Sequence, residues 1–171
     1  MLTIRTEKPN DYPKVYQVIT QAFQNAEHSD GNEADLVKRL RKSTAFIPEL
    51  SLVALKDNHI AGHILFTKAY VGKTPVLALA PLSVLPQYQN QGIGQALIKQ
   101  GHEIAKKLGY KFSVVLGYAK YYSKSGYSPA GKYGIKSPFE TDDENFMAIC
   151  FDKQEKQLNG TIKYDDAFGI S

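Results

Sequence analysis

Between Val76 and Gly94 the chain passes from an apolar run, through a short polar turn, into two glycines and then straight into a helical pattern. The run Val76-Leu77-Ala78-Leu79-Ala80-Pro81-Leu82-Ser83-Val84 has the length and character of a buried strand. Leu85-Pro86-Gln87-Tyr88 leads into Gln89-Asn90-Gln91-Gly92-Ile93-Gly94. In the helix that follows, Ile93, Ala96, Leu97, Ile104, Ala105 and Leu108 recur at spacings of three and four, Lys106 and Lys107 fill the last turn, and Gly109 lies just beyond. The first N–H groups of a helix have no partner inside it, and its dipole adds about half a positive charge there. Glycines at the entry let a bulky anion reach the main chain without meeting a Cβ. The first two turns of this helix hold no Asp or Glu, so its positive end is left for an external charge.

Two familiar phosphate motifs do not fit. Gly72-Lys73-Thr74 resembles the tail of a P-loop, but Thr67 stands where the leading glycine is needed, and Pro75 with a strand follows instead of a helix. The Gly92-x-Gly94 pair has Leu97 in place of the third glycine of a dinucleotide fingerprint, and no acidic residue ends the next strand, over residues 112–117. A net charge of +4 without an arginine-rich helix or a basic–aromatic interleave gives no case for nucleic acid. No apolar run reaches the ~18 residues of a membrane span, and the N-terminus has no signal-like apolar core. A single cysteine, Cys150, rules out an internal disulfide and agrees with a cytoplasmic location. The length of 171 residues suits a single domain.

The remaining elements follow from periodicity. Residues 2–5 read as a short strand. Asn10 or Asp11 caps a helix with Val15, Val18, Ile19, Ala22 and Phe23 on one face. A polar loop over 25–31 precedes a second helix over 32–41, with Leu36, Val37 and Leu40 turned inward. Strands over 50–56 and 60–70 flank the turn Asp57-Asn58-His59. After the glycine helix come a strand over 112–117, a short helix over 119–125 and a break at Ser128-Pro129. A strand over 145–151 and a weaker one over 161–164 complete the pattern.

The glycine turn resembles the pyrophosphate loop of the GNAT superfamily of acetyl-CoA-dependent N-acyltransferases, whose Gln/Arg-x-x-Gly-x-Gly/Ala pattern is matched by Gln89, Gly92 and Gly94. A second block, Tyr121-Tyr122-Ser123-Lys124-Ser125-Gly126-Tyr127, is similar to the aromatic-Tyr-x-x-x-Gly-aromatic motif after the fifth strand of that fold. Leu116-Gly117-Tyr118-Ala119-Lys120-Tyr121-Tyr122 looks closest to a group with a Leu-Gly-x-x-x-Tyr-Tyr turn and a short C-terminal extension. The resemblance implies an α/β (α+β) fold, a mixed central sheet flanked by helices with its fourth and fifth strands splayed. It divides the chain into a core of about 1–129 and an extension over 130–171 that completes the sheet and acceptor pocket.

It also implies acetyl transfer from acetyl-CoA directly to a primary amine of a small molecule or peptide, by a monomer or homodimer. Leu82, Ser83 and Val84 would take the pantetheine arm on their strand edge and supply an N–H to the thioester carbonyl, where one such donor is worth a few kcal/mol, about 3. Pro81 supports a break in that strand, since proline is confined to edges and bulges. Gln89, Asn90, Gln91, Gly92, Ile93, Gly94 and Gln95 would hold the diphosphate. Tyr122 would protonate the leaving thiolate, a role suited to a phenol of pKa about 10, with Tyr121 as its core neighbour; the other reading of Tyr122 is an aromatic packing residue.

For the base, Glu33 at the start of the second helix is the tentative candidate, against the alternative of a helix-start carboxylate stabilised by the dipole. Glu140, His28 and His63 also come into question, although His63 alternates with apolar neighbours and reads as a sheet residue with its own hydrogen bond. His59 belongs to a turn and His102 to the exposed face of the glycine helix. Cys150, inside Phe146-Met147-Ala148-Ile149-Cys150-Phe151, reads as a buried small hydrophobe with no base partner. No His or Cys cluster has metal-ligand spacing, so no metal is expected. Asp142, Asp143 and Glu144 read as a solvated loop. The connection from Gly117 to Tyr121 is too short to supply the Asn with which many family members contact the cofactor arm. An idle acyl-CoA sensor, or an interaction domain keeping only the fold, are the alternatives to an enzyme.

Overall fold

The structure is a computed structural model that describes residues 1–24, 31–154 and 156–169. These residues form β1 (Leu2–Thr6), α1 (Tyr12–Phe23), α2 (Glu33–Arg41), β2 (Phe46–Lys56), β3 (His59–Val71), β4 (Thr74–Val84), α3 (Ile93–Lys107), β5 (Phe112–Leu116), α4 (Ala119–Tyr122), β6 (Ser128–Pro129), β7 (Ile135–Lys136), β8 (Phe146–Cys150) and β9 (Gly160–Lys163). The sheet runs β1-β2-β3-β4-β5-β8-β6. Along that path β4 and β5 pair parallel and the other neighbours antiparallel. The mixed sheet flanked by helices is as the sequence implied.

The β2–β3 connection is tighter than the predicted three-residue turn. Asp57 and Asn58 both have positive φ, and His59 already pairs with Lys56. Two left-handed residues give a turn whose twist matches that of the strands it joins. Before α1, the Asp11 side chain makes no cap bond. Its carboxylate instead takes both Arg5 guanidinium nitrogens, at 2.7 and 3.1 Å, and the Lys8 N–H at 2.7 Å. Asp11 thus stands at the N-cap position of α1, but its carboxylate serves Arg5 and the N–H that opens the preceding turn in place of the first turn of α1.

Side chains alternate across β3, so Leu65 and Phe66 face opposite ways. Leu65 packs with Val15, Val18 and Ile19 of α1 and Val37 and Leu40 of α2. Phe66 packs with Ile93, Leu97 and Ile98 of α3 on the other face. Residues beyond 129 are part of the core as well, since Tyr133, Ile135, Phe146 and Ile162 cluster with Val71, Val76 and Phe112. Ser128-Pro129 is not merely a break: it pairs with Ala148 and Met147 as the outermost strand of the sheet, where the missing N–H of proline costs nothing. Cys150 is half-buried rather than buried, its thiol 3.6 Å from the Asp152 carbonyl.

Under α1 and α2 lies a buried polar group that sequence spacing does not reveal. Arg41 donates to both Glu7 oxygens at 2.9 Å, and Ser51 Oγ donates to Oε1 at 2.6 Å. His63, fully buried, has Nε2 at 3.1 Å from Ser51 Oγ and 3.5 Å from Glu7 Oε2. The Tyr12 ring covers the guanidinium at 3.8 Å. Burial pushes the Glu7 carboxyl up, but hydrogen bonds from His63, Arg41 and Ser51 outweigh it and hold the group at about 2.

A carboxyl held below its ordinary 4.5 stabilises the fold above that pH and loses the contribution as pH falls toward about 2. Glu7→Ala is therefore expected to cost about 3–5 kcal/mol at neutral pH, because it strands the Arg41 charge. Urea denaturation should show the gap from the unaltered chain closing progressively below pH 4.5.

Candidate active site

β4 and β5 are paired only at Leu77 with Ser113 and Ala78 with Val114. Beyond that point β4 stays on β3 while β5 stays on β8, and the two part. Just past the last pair, Leu79 faces Phe66 but Leu82 faces Ile64, so Ala80 and Pro81, joined by a cis peptide, form a bulge opposite Leu65. The expected break at Pro81 is there, in the place where a residue without an N–H fits.

The direction of each amide at the end of β4 follows from one bond. Leu85 N–H donates to the Ala61 carbonyl at 2.8 Å. Antiparallel ladders alternate inward and outward groups, so Ser83 bonds inward to His63 while Leu82 and Val84 turn their N–H and C=O toward the split. Gln89 reaches back from the loop and donates to the Val84 carbonyl at 3.1 Å.

The loop then turns through two left-handed residues, Asn90 at φ 64° and Gly92 at φ 82°. Gly92 caps α3 without a side chain, and the first turn holds no acid. Ala96 N–H takes the Gly92 carbonyl at 3.0 Å, so the N–H groups of Ile93, Gly94 and Gln95 are those without an intrahelical acceptor. Gln91 Nε2 donates to the Gln87 carbonyl at 3.4 Å, bracing the turn. The Gln95 side chain is already engaged: it donates to the Tyr121 carbonyl at 3.1 Å and accepts from Ser125 Oγ. It ties α4 to α3, leaving its main-chain N–H for a ligand.

Tyr121 does more than fill the core as a neighbour of Tyr122. Its hydroxyl lies against Gly94, where any Cβ would collide with it. The Tyr122 ring rests on Gly117 and stands edge-on to Tyr121 at 5.1 Å and Tyr127 at 5.9 Å. Burial, with Tyr121 beside it, pushes the Tyr122 phenol well above its ordinary value, so the group stays protonated at neutral pH. Tyr127 is anchored at Ser113 Oγ, 2.7 Å away, and at His102 Nε2, 3.0 Å away. His102 is thus not on the exposed face of α3. It is 7% exposed, packed among Phe66, Tyr127 and Phe151, and burial brings it down to about 4. Gly101 beside it lies against the Phe66 ring, where a Cβ would collide, so α3 sits close to the sheet.

The remaining candidates are spread out. Glu33 opens α2, half-buried. His28 lies outside the described residues. Glu140 is exposed beside Pro129 and Phe146, on β6 and β8 beyond β5. Asp142, Asp143 and Glu144 are exposed, as is His59. His63 is the sheet residue with a hydrogen bond that its pattern implied. Three buried side-chain atoms among the described residues have no partner among the protein's own groups: His63 Nδ1, Thr67 Oγ1 and Ser83 Oγ. No cluster of His, Cys, Asp or Glu that could hold a metal occurs among the described residues, and none of the helices is long and apolar enough to cross a membrane.

A parted pair of strands, an open helix N-terminus and a tyrosine pair thus meet at one gap in the sheet. Residues 12–127 match the model of the acetyltransferase (GNAT) family. The chain is 35% identical to the N-acetyltransferase YjhQ of Escherichia coli K12, over 96% of this chain and 92% of that protein. It superposes with a TM-score of 0.82 on a GNAT family acetyltransferase from Brucella melitensis in complex with acetyl-CoA, at 31% identity and 98% coverage of both chains. With the N-acetyltransferase YhbS of Escherichia coli in complex with CoA, the TM-score is 0.86, at 25% identity and covering 98% of this chain and 92% of that one. The chain belongs to the GNAT family of acetyltransferases and is an enzyme of the N-acetyltransferase class.

Gly94→Ala is expected to cost about 1–3 kcal/mol by overpacking against the Tyr121 hydroxyl. Thermal unfolding should show part of that loss recovered when Tyr121→Phe is added, because the colliding oxygen is then gone.

Proposed function

We propose that this chain transfers the acetyl group of acetyl-CoA directly to a primary amine of a small molecule or peptide. The observation that carries the proposal is the uncapped, acid-free start of α3 beside a stretch of β4 that has left β5. In this proposal acetyl-CoA supplies the activated acyl group. Main-chain N–H groups of residues 90–95 hold its diphosphate, a use of a helix start that needs no side-chain charge. Leu82 and Val84 present the outward amides of β4 to the pantetheine arm and the thioester carbonyl. Preorganised N–H donors of this kind act where charge develops in the reaction, in a site from which water is kept out. Tyr122 donates its proton to the departing thiolate; burial raises its phenol, so the proton is in place at neutral pH when the thiolate departs. The whole of 1–171 acts as one unit, a reading supported by the shared core of the tail with β3, β4 and β5. The lone cysteine supports a reducing, cytoplasmic setting.

The test is thiol release from acetyl-CoA with polyamines, amino sugars, free amino acids and peptide N-termini, alongside calorimetric titration of acetyl-CoA. Saturable binding with turnover on at least one amine is the expected result. Binding without turnover on any of them leaves an acyl-CoA sensor, and absence of binding removes the proposal. Tyr122→Phe should lower turnover by about 10²-fold or more while acetyl-CoA affinity stays nearly unchanged. Unchanged turnover, with the acyl step limiting, removes that role from Tyr122.

A further inference from the structure

An amine attacks a thioester only as the neutral base, and an acceptor that arrives as an ammonium must first lose a proton. Between residues 76 and 84, β4 has no Asp, Glu or His, and Ser83 is its one polar side chain. Ser83 is 2% exposed, and its Oγ has no hydrogen-bond partner. It faces His63 directly in the β3–β4 ladder, and His63 Nδ1 is the other unpartnered atom there. Opposed side chains on one sheet face stand about 4.5–5.5 Å apart at Cβ, within reach of a single bridging water. Two buried polar atoms without a protein partner, on residues opposed in one ladder, are unfavourable for folding alone, and that is the signature of groups kept for use.

We propose that Ser83 and His63 form the route by which the acceptor's proton leaves, with Ser51 and Glu7 as positioning residues that fix which imidazole nitrogen is bare. The inference rests on the transferase reading above. The polarity of the chain is set from its buried end. Glu7 is ionised and can only accept, so the Ser51 hydroxyl 2.6 Å away must donate to it. The Ser51 oxygen then accepts from Nε2 of His63 at 3.1 Å, which puts the ring hydrogen on Nε2 and leaves a lone pair on Nδ1. The groups around the ring are Glu7, after β1, Arg41 at the end of α2 and Tyr12 of α1 stacked on Arg41. Val53 and Ser51 on β2 and Ser83 on β4 complete the surroundings.

The step balances as follows. An ammonium N–H bond breaks and its proton passes to Ser83 Oγ, while the Ser83 hydroxyl proton passes, directly or through one water, to His63 Nδ1. The imidazolium so formed faces the Glu7 carboxylate, 3.5 Å from Nε2. The freed nitrogen pair forms the bond to the acyl carbon and the carbon–sulfur bond breaks. Tyr122 protonates the sulfur and recovers its proton from the second one that the nitrogen sheds. His63 later returns its proton to solvent, so one proton is released per acetyl group transferred.

Two measurements on the full chain test this. Long-range proton–nitrogen NMR of the histidine rings near pH 7.5, with no substrate present, should show His63 protonated on Nε2 and bare on Nδ1, a preference that Ser51→Ala relaxes. Protonation on Nδ1 overturns the proposal. Ser83→Ala deletes one oxygen that has no protein partner and should leave acetyl-CoA affinity unchanged by calorimetry. With the best amine of the panel, it should lower kcat/KM on the order of 10²-fold near neutral pH. The loss should shrink as the pH rises toward the amine's own pKa of about 10, where the acceptor arrives already neutral. A loss of equal size at every pH, or none, overturns the relay and leaves the transferase reading intact. If the unaltered chain acetylates no amine, the transferase reading falls and takes the relay with it.

Discussion

Main-chain hydrogen bonding at one seam of the sheet governs the rest of the molecule. Buried N–H and C=O groups require partners, and β4 and β5 supply each other with them only as far as Ala78 and Val114. From there the outward amides of β4 have no strand beside them. The neighbouring features are all arranged around that gap. The bulge at Ala80 and Pro81 turns β4 away, Gln89 takes up the Val84 carbonyl, and α3 begins with its own unpaired N–H groups a few residues later. An extended acyl-CoA is a ligand that can satisfy all of these groups at once, with its arm in the seam and its diphosphate at the helix.

The wall of the gap on the β5 side depends on aromatic packing. α4 spans Ala119–Tyr122, far too short to be stable on its own. It is held by edge-on contacts of Tyr122 with Tyr121 and Tyr127, by Gln95 and Ser125, and by the hydrogen bond between His102 and Tyr127. His102 serves this layer as a neutral ring, since burial keeps it uncharged at neutral pH. The opposite face of the sheet has a different character. There Glu7 and Arg41 are buried together under α1 and α2, where a well-packed apolar pair would serve stability as well. A charge pair retained in such a place makes most sense if its field is used, and its nearest neighbours are Ser51 and His63.

Much of this was legible in the chain because the signals are local. The period of Val15, Val18 and Ile19, the glycines at 92 and 94, the missing acids in the first turns of α3 and the Tyr121-Tyr122 block each depend on neighbours within a turn or two. Local rules failed where partners are distant. Ser128-Pro129 read as a break because proline disfavours strands, yet Ala148 and Met147 give it a place at the sheet edge. His102 read as exposed because it is polar, while the depth of α3 against Phe66 is decided by packing across the sheet. Asn10 or Asp11 read as the cap of α1, and Asp11 does occupy that position, but Arg5 engages its carboxylate.

The sequence alone determined the order of the longer strands and helices up to residue 127, the glycine turn ahead of α3 and the family to which the chain belongs, because torsional preference, periodicity and capping act over a few residues. Tertiary structure alone decided which amides of β4 face the gap, which tyrosine touches Gly94, and that Glu7, Arg41, Ser51 and His63 meet. Those outcomes depend on strand register and on closure between segments far apart in the chain. A shift of one residue in a ladder would turn every one of these side chains to the other face.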